Sequence, residues 1–371
     1  MIFRKICKKI ASFTPKWLFN WCIKLNRKTP VNLTSDNSIL EKFSKDNGST
    51  CIRSEALKKD IKYNLKIVIP CFNAEKYIDL CLESLVRQKT HYSFLVVLIN
   101  DGSTDNTLIK LKKYESENVV IINQPNEGFS GARNSGLNAN ESDFIMFIDS
   151  DDCLIGDSVI ENCLNLAYRY KKNSNDKIVI QFRHSNKYKQ GSITERVKKT
   201  NYIKLSGFAW AKLFSSELFD KVCFPLDYWF EDTVLSTIVY PSANSFYKNN
   251  SLIYFYRPNP EGISAKSSSS NKLLDTFYVT NQLLKDRRKL GLPEDIFFIH
   301  RFYVQTICNC VRLRLCPQQV QEQVFLKTCE LFEYYKISLL KDCKTLYESL
   351  TNKDFVLYKR FCLAYSKVYL S

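Results

Sequence analysis

Four short polar clusters hold side chains capable of chemistry. Asp149-Ser150-Asp151-Asp152 follows the apolar run DFIMFI. Carboxylates at positions i and i+2 of a strand end can project toward one point, where they offer hard oxygen ligands to Mg²⁺ or Mn²⁺. The same residues also read as a solvated turn in which Asp152 or Asp157 caps the next helix. Asn100-Asp101-Gly102-Ser103-Thr104-Asp105 follows a second apolar run. There Asp101 can accept hydrogen bonds from a base or ribose, Gly102 admits a close ligand, and Asp105 serves as an N-cap. Arg133, expected at a helix start after Gly128 and Gly131, joins a guanidinium to free helix N–H groups, which suits a diphosphate. An exposed arginine paired with a neighbouring acid is the alternative. Glu231-Asp232 precedes TVLSTIVY and reads either as the acidic start of a helix or as a proton acceptor.

The elements needed to position these residues are legible. LKIVIP, FLVVLIN, NVVIINQ and DFIMFID are short β-branched or apolar runs, and helical periodicity fills the intervals between them. Strands alternating with helices predict an α/β fold with a mostly parallel, doubly wound sheet. Ligands bind such sheets beyond the carboxyl ends of the strands. Pro70–Asn73, Asn100–Asp105 and Asp149–Asp152 all fall there. After RPNPEGIS and a run of four serines, about a hundred residues of helical pattern predict a separate C-terminal region.

The 371 residues are 45% hydrophobic and 25% charged, an ordinary globular composition that excludes a disordered tail, a collagen repeat and a coiled-coil rod. The formal charge of +16 is unevenly spread, since residues 65–262 hold 23 groups of each sign. That neutral middle argues against a nucleic-acid surface. Residues 1–30 carry eight basic groups and no acid, with Phe3, Ile6, Ile10, Phe13, Trp17 and Trp21 recurring at helical spacing. This pattern fits a helix in an anionic membrane interface, or one packed on the chain with its lysines solvated. Residues 31–64 read as a linker. No apolar run reaches a membrane-spanning length, and no signal-peptide core is present. The fourteen cysteines are scattered and include no CxxC pair, which suits reduced, buried thiols in a cytosolic compartment.

In order, IVIPCFNAEKYI, LINDGSTDNT, NEGFSGARNSGL and DFIMFIDSDD resemble the donor half of glycosyltransferase family 2, inverting enzymes of the GT-A fold. GFAWAKLFSSELF followed by FPLDYWFEDT is similar to the family's acceptor-side segment, and the resemblance covers about residues 65–264. It implies that Pro70, Phe72, Asn73 and Glu75 cradle the nucleotide, with Phe72 stacking. It implies further that Asp101 reads uracil, that Arg133 lies near base and diphosphate, and that Asp149-Ser150-Asp151 is a DxD whose two acids hold the metal. Asp232, in the pair with Glu231, matches the general base, and Arg257 and Ser264 a late loop over the diphosphate. The family's usual first acid before Asp101 is Asn100 here.

The expectation is therefore a peripheral enzyme on the cytoplasmic face of a membrane. It would use a nucleotide-sugar donor of the UDP type, Mg²⁺ or Mn²⁺, and a glycan or lipid-linked acceptor. Trp210 and Lys212 in AWAKLF read as acceptor-site or core residues, and Trp229 as a platform for a sugar. Two rivals remain open: a sugar-phosphate nucleotidyltransferase, which should carry a Gly- and Arg/Lys-rich first loop, and a non-catalytic scaffold, which should have lost the DxD or the ED pair.

Overall fold

The computed structural model describes residues 36–57, 59–138, 140–173, 175–260 and 271–366. The basic amphipathic segment 1–30 and Ser264 lie outside them. Along the chain the regular elements are α1 (Asn37–Phe43), β1 (Lys59–Cys71), α2 (Ile78–Val86), β2 (Phe94–Asp101), α3 (Thr107–Lys112), β3 (Val119–Gln124), α4 (Gly128–Leu137), β4 (Asn140–Phe147), β5 (Cys153–Leu154), α5 (Val159–Tyr170), β6 (Ile178–Ser185), β7 (Val197–Thr200), β8 (Lys212–Ser215), β9 (Ser245–Phe255), α6 (Asp275–Lys289), α7 (Ile296–Arg312), α8 (Gln318–Tyr334), α9 (Lys344–Thr351) and α10 (Phe355–Tyr365).

The chain divides into two compact units. One comprises residues 48–265 with 281–292, and the other 1–47, 266–280 and 293–371. Of the segment expected as a linker, residues 36–47 therefore belong to the second unit, where α1 forms, and 48–64 to the first, where β1 already begins at Lys59. The second half of α6 also joins the first unit. Its Asp286 is fully buried and accepts from Thr50 Oγ1 and the Cys51 N–H, both at 2.9 Å.

In the first unit nine strands form one sheet in the order β3-β2-β1-β4-β8-β6-β9-β5, with β7 also paired to β9. The half β3-β2-β1-β4 is all parallel, as the strand-helix alternation requires, so the ends of its strands open on one edge. Beyond β4 the sheet becomes mixed, with β8 antiparallel to both β4 and β6, and β9 parallel to β6. The central strands are buried on both faces, which explains their continuous apolar runs. Gly136 lets α4 lie close on this sheet, since a Cβ there would overlap Val68 and come within 3.0 Å of Ile99 Cδ1.

The second unit is helical in its described residues. Thr276, Thr280, Gln305 and Asn309 form a buried hydrogen-bonded set between α6 and α7 within it. No helix among the described residues is long and apolar enough to cross a membrane. Ten of the twelve described cysteines are buried, and none of the twelve forms a disulfide.

Candidate active site

The parallel strands deliver three loops to one edge. After β1, Asn73 takes a left-handed backbone (φ 50°) and its Oδ1 accepts from the Thr104 N–H at 2.8 Å. Glu75 accepts from the N–H and side chain of Asn106, both at 3.0 Å, bonds that hold its carboxyl below the usual range. The structure thus commits both side chains to fastening the first loop to the second. Phe72 remains half-exposed at this edge (51%) beside Pro70, with a face available to stack.

In the second loop Asp105 receives the Thr107 N–H and hydroxyl and the Glu75 N–H, but the N-cap of α3 is Asn106, so Asp105, expected as the cap, braces the helix start from one residue before it. Asp101 is buried, and its Oδ1 accepts from Gln124 Nε2 and the Glu127 N–H at 2.8 and 2.9 Å. Asn100 donates to Asn123 at 2.6 Å, while its own Oδ1 is buried without a hydrogen-bond partner. Gly102 needs its lack of a side chain, because its φ is +69° and a Cβ would lie 2.7 Å from the Asn126 N.

Arg133 differs from its expected place. Helix α4 starts at Gly128, so Arg133 is in its second turn and not among the free N–H groups. Its guanidinium lies 5.4 Å from the Phe224 ring and 5.9 Å from Phe129. One amino group binds Glu231 in a short ion pair, and the other binds Asp149 Oδ1 at 3.2 Å. Burial alone would lower the guanidinium's pKa, but Glu231 and then Asp149 outweigh it and the pKa ends above its ordinary value. For Glu231 burial prevails and lifts the carboxyl to about 7, against the pull of Arg133. The two shifts oppose each other, but close contact with a guanidinium serving two anions favours the ionised pair.

The Glu231-Asp232 pair stands on a strained turn, with Asp227 and Phe230 both left-handed (φ 59° and 65°). A π-helical turn, Leu235–Val239, follows directly. Arg287 of α6, almost fully buried, donates to the Thr237 carbonyl at 2.8 Å and so anchors this turn. Behind Asp232, Lys212 is wholly buried and donates to Ser206 Oγ at 2.7 Å and the Phe208 carbonyl at 2.6 Å. Burial pulls its amine down to about 7, with Asp232 acting in the opposite sense.

The three acids of the Asp149 loop fan out. Asp151 accepts from Asn259 at 2.9 Å, and Asp152 from the Tyr254 hydroxyl and the Arg257 N–H, both at 2.7 Å. Burial, reinforced by Asp149, raises the carboxyls of Asp151 and Asp152, the latter to about 8. Arg257 Nε donates to the Asp151 carbonyl at 2.8 Å, so Arg257 holds the loop through its backbone. Tyr254 fastens this loop and was missed in the sequence, since its hydroxyl also receives the Asp149 N–H at 3.2 Å. The only sequence signal was its place three residues before Arg257. Trp210 stacks between Phe208 (4.1 Å) and Tyr254 (5.1 Å) as core, whereas Trp229 is half-buried.

This edge holds clustered acids, a shared arginine and an exposed aromatic at the ends of parallel strands. A family model described as Glycosyl transferase family 2 matches residues 66–222. Those residues are a glycosyl transferase family 2 domain. Glycosyltransferase GlyA of Streptococcus pneumoniae serotype 4 (strain ATCC BAA-334 / TIGR4) is 28% identical to the chain over 211 residues, covering 52% of this chain and 30% of GlyA. Minor teichoic acid biosynthesis protein GgaB of Bacillus subtilis (strain 168) is 27% identical over 233 residues, covering 58% of this chain and 25% of GgaB. The chain thus spans under a third of either relative's length. Residues 1–349 of S. aureus TarS, crystallised with UDP-GlcNAc, match with a TM-score of 0.61 at 20% identity, over 80% of this chain and 89% of that one. The family 2 domain here has the GT-A fold, with ED pair and Arg257 lying beyond the matched stretch.

Proposed function

We propose that this chain is an inverting glycosyltransferase that moves a sugar from a UDP-sugar to a hydroxyl of a cell-surface glycan or lipid-linked acceptor. One observation carries the reading: a single buried arginine, 98 residues from Glu231 in sequence, ties the Asp149 loop to the Glu231-Asp232 turn. In this reading the loop that would serve the donor and the turn that carries the candidate base are tied to one side chain. By likeness, GlyA supports glycosyl transfer, GgaB a part in teichoic acid biosynthesis, and TarS, crystallised with UDP-GlcNAc, a UDP-linked donor.

In this reading the acceptor hydroxyl attacks C1 of the donor sugar as Asp232 takes its proton. The bond from C1 to the diphosphate breaks, and the nucleoside diphosphate leaves on the opposite face, inverting the anomeric centre. Glu231 is the positioning partner, held by Arg133, and Asp101 and Phe72 serve the base. Asp149 and Asp151 would hold Mg²⁺ or Mn²⁺. The donor set fits in kind: it is all oxygen, and a cation would relieve the crowding that raises Asp151 and Asp152. Among the described residues no three His, Cys, Asp or Glu side chains gather around one point, so waters and donor phosphates would complete the shell. Such an ion would neutralise charge growing on the leaving group.

The test is proton NMR of donor hydrolysis across a panel of nucleotide sugars. The reading predicts that one UDP-sugar with an α-linked sugar first releases the β anomer. First release of the α anomer, or no turnover of any donor, would overturn it.

A further inference from the structure

Strand register places four long side chains in one row. Gln181 of β6 is paired with Lys212 of β8 on one side and with Lys248 of β9 on the other, and Lys248 is paired in turn with Lys198 of β7. Residues in register on adjacent strands share a face, with strands about 4.8 Å apart. Lys212, Gln181, Lys248 and Lys198 therefore cross four strands on one face. Tyr202 packs on Phe246, which shares that face with Lys248, and this sets the turn Tyr202–Lys204 above the row.

Lysines directly opposite one another destabilise a strand pair unless something compensates. Burial and then Lys204 push the Lys248 amine below its ordinary value. Among the described residues no carboxylate pairs with Lys198, Lys204 or Lys248, and Glu195, close by in sequence, is engaged with Arg169 at 3.3 Å. At its inner end the row reaches buried Lys212, which feels the charge of Asp232. At its outer end Lys198 is exposed on β7, a strand paired on one side only.

We propose that this row is an acceptor subsite for a polyanionic glycan, with Lys248, Lys198 and Lys204 binding phosphate or carboxylate groups of units beyond the attacking sugar. The inference rests on the glycosyltransferase reading and names its acceptor class. A planar membrane fits less well, because Lys248 is half-buried and the row leads inward toward Asp232.

The test titrates labelled oligo(glycerol phosphate) and oligogalacturonate, each of about ten units, into the full chain by fluorescence anisotropy. UDP with Mn²⁺ is titrated in parallel by calorimetry. Wild type should bind at least one oligomer in a salt-sensitive way. The double variant Lys198→Gln/Lys248→Gln should bind it about tenfold more weakly, a loss of about 1.4 kcal/mol. Lys198→Gln alone, altering only an exposed side chain, should show part of that loss, and UDP binding should not change. Equal oligomer binding by all three forms, equally tight binding of neutral dextran, or lysine-dependent binding to phosphatidylglycerol vesicles without binding of either oligomer would overturn the proposal. If no form binds UDP but oligomer binding still depends on the lysines, the transferase reading falls and the anion site stands.

Discussion

Removing the Arg133 guanidinium would leave Glu231 buried and unpaired and Asp149 without its partner. Breaking a buried pair from one side costs about 3–5 kcal/mol. Denaturant unfolding of Arg133→Ala should show a loss of that order; a loss under about 1 kcal/mol would mean the pair holds nothing together. Buried Asp152 predicts a pH dependence in the metal-free protein. Burial lifts the Asp152 carboxyl to about 8 in the folded protein, above its ordinary value of 3.8, whereas Glu231 stays ionised beside Arg133. The folded protein then keeps a proton that the unfolded chain has lost, so stability must fall as pH rises through that window. Lys212, lowered to about 7, acts in the opposite sense and only above that pH. Melting temperatures should fall from about pH 5 to 7, and Asp152→Asn should flatten the slope; a rising profile would contradict the burial of Asp152. The acids of the Asp149 loop were legible because they follow a strand end, and Glu231 because its segment resembles the family's ED pair. Arg133's partners were not, since contacts across 16 and 98 residues leave no local pattern.

The elements carry the site by close fit. Gly136 brings α4 against β1 and β2, and α4 holds Arg133. Gly136→Ala should destabilise the protein by about 1–3 kcal/mol through overpacking. Unchanged thermal stability would show that the helix can retreat freely. The four parallel strands were readable from their apolar runs, as were the polar loops that end them. Asn73 and Glu75 pointed to the donor, yet their side chains latch the second loop, because a turn with left-handed residues needs internal hydrogen bonds. The row through Lys212, Lys248 and Lys198 was invisible in sequence, since it exists only once β8, β6, β9 and β7 are ordered side by side.

For the molecule as a whole, class and architecture followed from strand-helix alternation, but the division into units did not. α6 contributes its first residues to the helical unit and residues 281–289 to the sheet unit, a split that a continuous helical pattern cannot signal. The neutral middle of the sequence also concealed local charge, because acids at the strand ends balance the lysines of β7–β9 in the total. The central claim is that the Asp149 loop binds donor while Asp232 acts on acceptor. Calorimetric titration of UDP-sugars with Mn²⁺ into wild type, Asp149→Ala and Asp232→Asn tests it most directly, with donor turnover measured alongside. Wild type should bind one UDP-sugar, Asp149→Ala should lose that binding, and Asp232→Asn should bind it and not turn it over. Binding by Asp149→Ala equal to wild type, or turnover by Asp232→Asn, would contradict the account.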